Sequence, residues 1–119
     1  KIIKDKTYFD MPKTNIIKGF YSDSLTLELQ NKLPKAGIIH IDVDLYSSAI
    51  EVLRFIKPLL VAGSLILFDD WYCFPAGSEK GERKAFNQFL KENTDIEYET
   101  WKAYSTFGKS IFITKIDNN

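Results

Sequence analysis

The stretch that decides the fold runs from Ile38 to Asp70, "IIHIDVDLYSSAIEVLRFIKPLLVAGSLILFDD". Ile38 to Val43 carries four β-branched residues in six positions and follows a turn signal, so it predicts a buried strand. In the next segment Ile50, Leu53, Ile56 and Leu60 recur close to a 3.6-residue period. This predicts a helix with Ser47 or Ser48 as N-cap, bent or ended near Pro58. Gly63 lets the chain turn, and "SLILFDD" returns as a second apolar strand. Strand, helix and strand within about thirty residues form a βαβ unit, which requires a parallel pair with helices packed on the sheet faces.

The flanking segments extend this unit. The opening "KIIKDKTYFDMPKT" is weakly patterned and broken by Pro12, and reads as loop with room for one irregular turn or helix. "NIIKGFYSD" predicts a short strand from Asn15 to Phe20. A short amphipathic helix follows, with Leu25, Leu29 and Leu33 on one face and Pro34 at its end. After the loop "WYCFPAGSEKG", a helix from about Glu82 to Glu92 turns Ala85, Phe86, Phe89 and Leu90 inward. "IEYETWKAY" and "KSIFITKI", joined across Gly108, predict an antiparallel hairpin at the sheet edge. All 119 residues fit one α/β domain, with no repeat, low-complexity tract or linker.

Composition narrows the function classes. The chain is 45% apolar and 14% aromatic, well above what a disordered chain carries. Sixteen basic and sixteen acidic residues cancel, so no global field points to nucleic acid or to an anionic membrane. No apolar run is long enough to span a bilayer. The single Cys73 cannot form an internal disulfide, which suits a reducing, cytoplasmic setting. A small-molecule partner is the default expectation. The first residue is Lys and not Met, as in a fragment.

The carboxylates stand out. In an open parallel sheet, ligands bind in the crevice outside the carboxyl ends of the strands. Asp42 ends the first parallel strand and Asp69 with Asp70 ends the second. Adjacent strands would bring these three acids to one rim, where their mutual repulsion makes a bound cation a natural partner. Oxygen ligands alone suit Mg²⁺, and one His with one Cys cannot build a zinc or iron set. Such a cation would act on a hydroxyl oxygen by favouring its deprotonated form. The competing reading is that acids after strands cap helices or solvate loops, which suits Asp44 near the start of the next helix.

Taken together, "HIDVDLYSSA", "KPLLVAGSLILFDDW" and "GERKAFNQFL" resemble the C-terminal part of the macrocin O-methyltransferase family. These are metal-dependent enzymes that use S-adenosylmethionine to methylate sugar hydroxyls of macrolides. The likeness runs from about Asn15, with "NIIKGFYSDSL", to about Ile116. It implies a Rossmann-like class I methyltransferase sheet, here partial (strands three to seven), with parallel strands and a C-terminal antiparallel hairpin. It also implies Asp42, Asp69 and Asp70 as metal ligands, with Asp44 and Tyr46 lining the site.

The cofactor side has no counterpart in this sequence. Six glycines form no G-x-G-x-x-G-like turn, and no strand before Asn15 could carry one. The chain by itself should therefore bind S-adenosylmethionine poorly. The general base is unassigned as well. Related catechol-type enzymes carry a Lys where this chain has Leu45, and the His used by macrocin-type enzymes belongs to their N-terminal half. His40, inside the predicted strand, reads as a core or supporting residue. Trp71 and Tyr72 would wall a sugar site or simply pack. Lys80, Glu82, Arg83 and Lys84 read as a solvated loop and first helical turn, and Cys73 as unreactive. The loop from Cys73 to Gly81 would cover a substrate.

Two other kinds of function compete. One is a D-x-D glycosyltransferase holding a nucleotide-sugar diphosphate through a metal, which leaves Asp69 and Asp70 unexplained. A D-x-D phosphatase of the haloacid dehalogenase type fits Leu45 and Tyr46 poorly. The other is a non-catalytic α/β module. An exposed sheet edge would also gain from pairing with a second copy.

Overall fold

The computed structural model describes residues 14–74 and 77–117. The opening segment up to Lys13, read above as loop, lies outside the described residues.

Two short helices, α1 (Tyr21–Ser24) and α2 (Leu27–Lys32), precede strand β1 (Ile38–Ile41). Helix α3 (Tyr46–Ile56) runs into a 3-10 turn at Lys57–Leu59 and leads to β2 (Leu65–Phe68). Helix α4 (Gly81–Glu92) and the strands β3 (Glu97–Lys102) and β4 (Lys109–Lys115) complete the order. The sheet order is β1-β2-β4-β3. β1 and β2 pair in parallel, Ile38 opposite Leu65 and Ile41 opposite Phe68. β4 lies antiparallel to β2 and again to β3, so the hairpin closes one side of the sheet with β3 outermost. The βαβ unit and the hairpin thus form as their periodicities predict, giving a mixed α/β fold.

Alternation along the strands sorts the side chains. Ile39, Ile41, Ile66, Phe68, Ile111 and Ile113 point to the face covered by α3 and α4. There they meet Ala49, Ile50, Leu53 and Ile56 of α3 and Ala85, Phe86 and Phe89 of α4. Phe86 is the hub of an aromatic cluster, with ring centroids 5.2 Å from Phe68, 5.8 Å from Trp71 and 5.1 Å from Tyr98. Arg54 ties α3 to α4 outside this core by donating to both carboxylate oxygens of Glu92.

Four local expectations are revised. Asn15 to Phe20 forms no strand, because an extended segment needs a neighbouring ladder and none of the described strands pairs with it. Ser47 and Ser48 lie inside α3, whose N-cap is Leu45, because the chain enters the helix from a tight turn at Asp44 that already sets its direction. In the second short helix, Thr26 caps Leu29 N–H and Leu33 lies past the last turn, so its leucines span less than one face. β1 is only partly buried: it is an edge strand in the described sheet, and Ile38 on its uncovered face is 70% exposed.

Candidate functional site

The carboxyl ends of β1 and β2 point to the same rim, and the ladder continues one step further through Asp69 N–H bonding to the Ile41 carbonyl at 2.9 Å. Beyond Ile41 the chain leaves the strand. Leu45 N–H reaches back to the Val43 carbonyl at 2.5 Å, closing a three-residue turn around Asp44, which takes a left-handed φ of 57°. A short polar side chain tolerates that conformation better than a branched one would. The turn throws Asp42 and Asp44 to the same side. Asp70 comes to meet them, its carboxylate accepting from Asp44 N–H at 3.3 Å. One ligand oxygen from each of Asp42, Asp44 and Asp70 falls within 4.8 Å of the others.

Asp69 takes a different environment. Residues alternate faces at the end of a strand, so Asp69 emerges on the uncovered face beside His40 while Asp70 emerges on the α4 side. Its Oδ1 accepts from the Tyr104 hydroxyl at 3.2 Å and lies 3.3 Å from His40 Nε2. His40 is therefore exposed at the rim rather than enclosed in a core. The other expected residues divide. Trp71 is 7% exposed and packs against Phe68 and Phe86, with Lys109 Nζ 4.4 Å from its ring centre. Tyr72 is exposed, with its N–H on the Phe107 carbonyl, and Tyr46 opens α3 beneath Lys84 Nζ at 4.4 Å. Cys73 is exposed.

Glu82, expected in a solvated turn, is the correction with most consequence. It is fully buried, and its carboxylate accepts from Asp70 N–H at 3.0 Å and from Val43 N–H at 3.4 Å. The sequence signal was slight: a Glu directly after Gly81, opening a helix whose inward face is Ala85, Phe86 and Phe89.

Crowded acids shift their proton affinities. Burial first, then the Asp44 and Asp42 carboxylates, raise Asp70 to about 6. Burial chiefly, with added repulsion from Asp70 and Asp42, raises Glu82 to about 7 although its two N–H donors pull the other way. Burial and then the bond to Asp69 push the Tyr104 phenol upward, so it stays a donor. Both raised acids bind their proton more tightly in the folded chain than in the unfolded one. Their stabilising effect is complete below their usual values of 3.8 and 4.5 and is lost as pH rises through about 6 and 7. Glu92 and Asp95, lowered by Arg54 and Lys57, act oppositely, and only in the acid range below their usual values. Without added cation, the melting temperature is expected to fall between pH 5 and pH 7. Scanning calorimetry in a chelator checks this, and a rise over that interval would contradict it.

The acids form an open rim. A cleft of about 350 Å³ lies elsewhere, between the two short N-terminal helices and α3, lined by Leu25, Gln30, Arg54 and Phe55 among others. No helix among the described residues is long and apolar enough to cross a membrane.

The family model of macrocin-O-methyltransferase (TylF) matches residues 5–102. Among solved structures, the chain is similar to the O-methyltransferase NovP, with a TM-score of 0.73 at 18% identity, covering 92% of this chain and 41% of that one. It is also similar to CalS11, a calicheamicin methyltransferase, with a TM-score of 0.52 at 17% identity, covering 80% of this chain and 35% of that one. At such identities both likenesses speak for the fold, and the chain spans less than half of either structure. No curated protein matches it.

Proposed function

The chain belongs to the macrocin-O-methyltransferase (TylF) family, and from that membership we propose that it carries the cation-binding side of an O-methyl transfer site acting on a hydroxyl of a sugar or another small molecule. The observation that carries this reading is the meeting of Asp42, Asp44 and Asp70 within 4.8 Å at the carboxyl ends of two paired parallel strands. The donor set fits a hard divalent cation: the oxygens are all carboxylate, the site is open on one side, and charges that repel one another gain from a counter-ion. When bound, Mg²⁺ supplies Lewis acidity that makes a nearby alcohol easier to deprotonate.

The roles of this chain's own residues follow. Asp42 and Asp70 are assigned as ligands, and the family motif adds Asp69. The Asp69 carboxylate would join them by turning away from Tyr104 and His40, whereas Asp44 already stands beside them. The remaining oxygens of these acids would orient the acceptor hydroxyl, and Tyr72, two residues past Asp70, offers an exposed ring. S-adenosylmethionine, the methyl donor of the family, does not find its glycine-rich turn in these residues. That turn would have to be supplied by another segment or chain. Family membership gives no support to the nucleotide-sugar transferase reading.

Separate calorimetric titrations with Mg²⁺, S-adenosylmethionine and a UDP-sugar test the proposal. Mg²⁺ is expected to bind, the methyl donor to bind weakly, and the UDP-sugar not at all. The ligand role of Asp69 predicts that Asp69→Asn weakens Mg²⁺ binding by about tenfold or more, as removing a metal's support does. UDP-sugar binding in place of Mg²⁺ binding would sink the assignment.

A further inference from the structure

We propose that Glu82 is a positioning residue that holds the two acid-bearing strand tips against each other, so that Asp42, Asp44 and Asp70 converge on one point. The functional part of this inference rests on the cation-site reading above.

Glu82 is the one ionisable side chain fully buried among the described residues. An apolar residue would fill the same space without the cost of burying a carboxyl group, so its polar contacts need a reason. Those contacts divide cleanly. One oxygen accepts from the N–H of Asp70 at 3.0 Å and the other from the N–H of Val43 at 3.4 Å. The first partner is an acid of the cluster, and the second stands between the other two acids in sequence. A single side chain thus spans two tips that are 12 and 39 residues away from it.

A second, independent feature locks the same junction. Gly81 has a φ of 57°, and a Cβ there would stand 3.1 Å from the Asp44 carbonyl and 2.9 Å from the Phe74 ring. Only glycine lets the first residue of α4 come this close to the Asp42–Asp44 turn. One turn further along the helix, Phe86 is sunk in the aromatic core. The carboxylate therefore projects from a rigid base. This is the arrangement by which outer residues set the geometry of a metal's ligands. A capping role for α4 does not explain it, since the N-cap makes no side-chain bond and Glu82 turns away from its own helix toward the tips.

The test uses Glu82→Gln in the full chain. Glutamine keeps the shape and one acceptor but presents an NH₂ to the second N–H. Mn²⁺ affinity, read by electron paramagnetic resonance, is expected to weaken about tenfold or more, the range such outer partners command. Hydrogen exchange at the Val43 and Asp70 amides is expected to speed up while the far-UV spectrum stays unchanged. Glu79→Gln, an exposed neighbour, should alter neither reading. Unchanged Mn²⁺ affinity in folded Glu82→Gln overturns the proposal even where the wild-type chain upholds the cation site. A wild-type chain that takes up no Mn²⁺ overturns the cation reading and with it the functional half of this one. Amide exchange then still decides whether Glu82 holds the tips. Should Glu82→Gln not fold, Gly81→Ala keeps the Glu82 carboxylate in the chain but pushes it away from the Asp44 turn. It is expected to shift Mn²⁺ affinity the same way, and wild-type affinity in that variant counts against the proposal.

Discussion

Phe86→Ala is expected to destabilise the chain by about 3–5 kcal/mol, the range for truncating a fully buried phenylalanine. Phe86 has no exposed surface and stands between Phe68, Trp71, Phe89 and Tyr98, with centroids 5.1 to 6.3 Å away. Removing its ring leaves a cavity bounded by β2, by α4 itself and by β3. β2, paired on both sides, cannot collapse into that space, so little of the loss is recovered. Edge-to-face contacts add about 0.5–1.5 kcal/mol each beyond buried area. Domains of this kind hold only about 5–15 kcal/mol in total, so a large share would disappear. Urea unfolding followed by tryptophan fluorescence measures it, as a lower midpoint with an unchanged slope. A loss under about 1 kcal/mol would mean that this ring is not the centre of the core. Because Glu82 lies one helical turn away on α4, the same variant should also loosen the acid cluster.

Asp70→Asn is expected to do two opposite things. Divalent-cation affinity should fall by about a hundredfold or more, the upper end of what even outer partners of a metal site command, because in the proposed site a charged ligand is lost outright. The metal-free chain should become more stable. Asp70 has its proton affinity raised to about 6 by burial and by the Asp44 and Asp42 carboxylates, so near neutral pH its charge is opposed by its own neighbours. Replacing it with an amide removes that repulsion and lets the side chain donate to either acid. The expected pair of readings is a higher melting temperature in chelator and the loss of any further rise when Mg²⁺ is added. A lower melting temperature with unchanged Mg²⁺ affinity would show that Asp70 is a structural residue. The gain in chelator should shrink toward pH 5, where Asp70 is already protonated in the wild type.

Much of the architecture is legible in the order of residues. The run from Ile38, the spacing of Ile50, Leu53 and Ile56, and the return at Leu65 each express a period of the backbone, and each forms the element that period implies. The Gly108 hairpin is equally local. The segment Asn15 to Phe20 has strand composition but forms none, since composition cannot supply the neighbour a strand must bond to. His40 shows the same limit in reverse. It lies in an apolar run, yet β1 is an edge strand in this sheet and the ring emerges beside Asp69.

The site divides along the same line. The placement of acids after two apolar runs is a property of the chain itself, and the parallel pairing of those runs brings them to one rim. Which acids converge was settled by the tertiary structure. The tight turn at Asp44 and the alternation of faces at Asp69 and Asp70 group Asp44 with Asp42 and Asp70, and leave Asp69 with His40 and Tyr104. Glu82 is the furthest from legible. Between Gly81 and Arg83 it resembles any charged residue opening a surface helix, and only the docking of α4 against both tips takes it out of water. Periodicity reports which face of an element is apolar, and so the sequence by itself determined the βαβ unit, the later helix and the hairpin with their layering. A buried carboxylate is defined by the distant N–H groups it meets, and no local pattern carries that information.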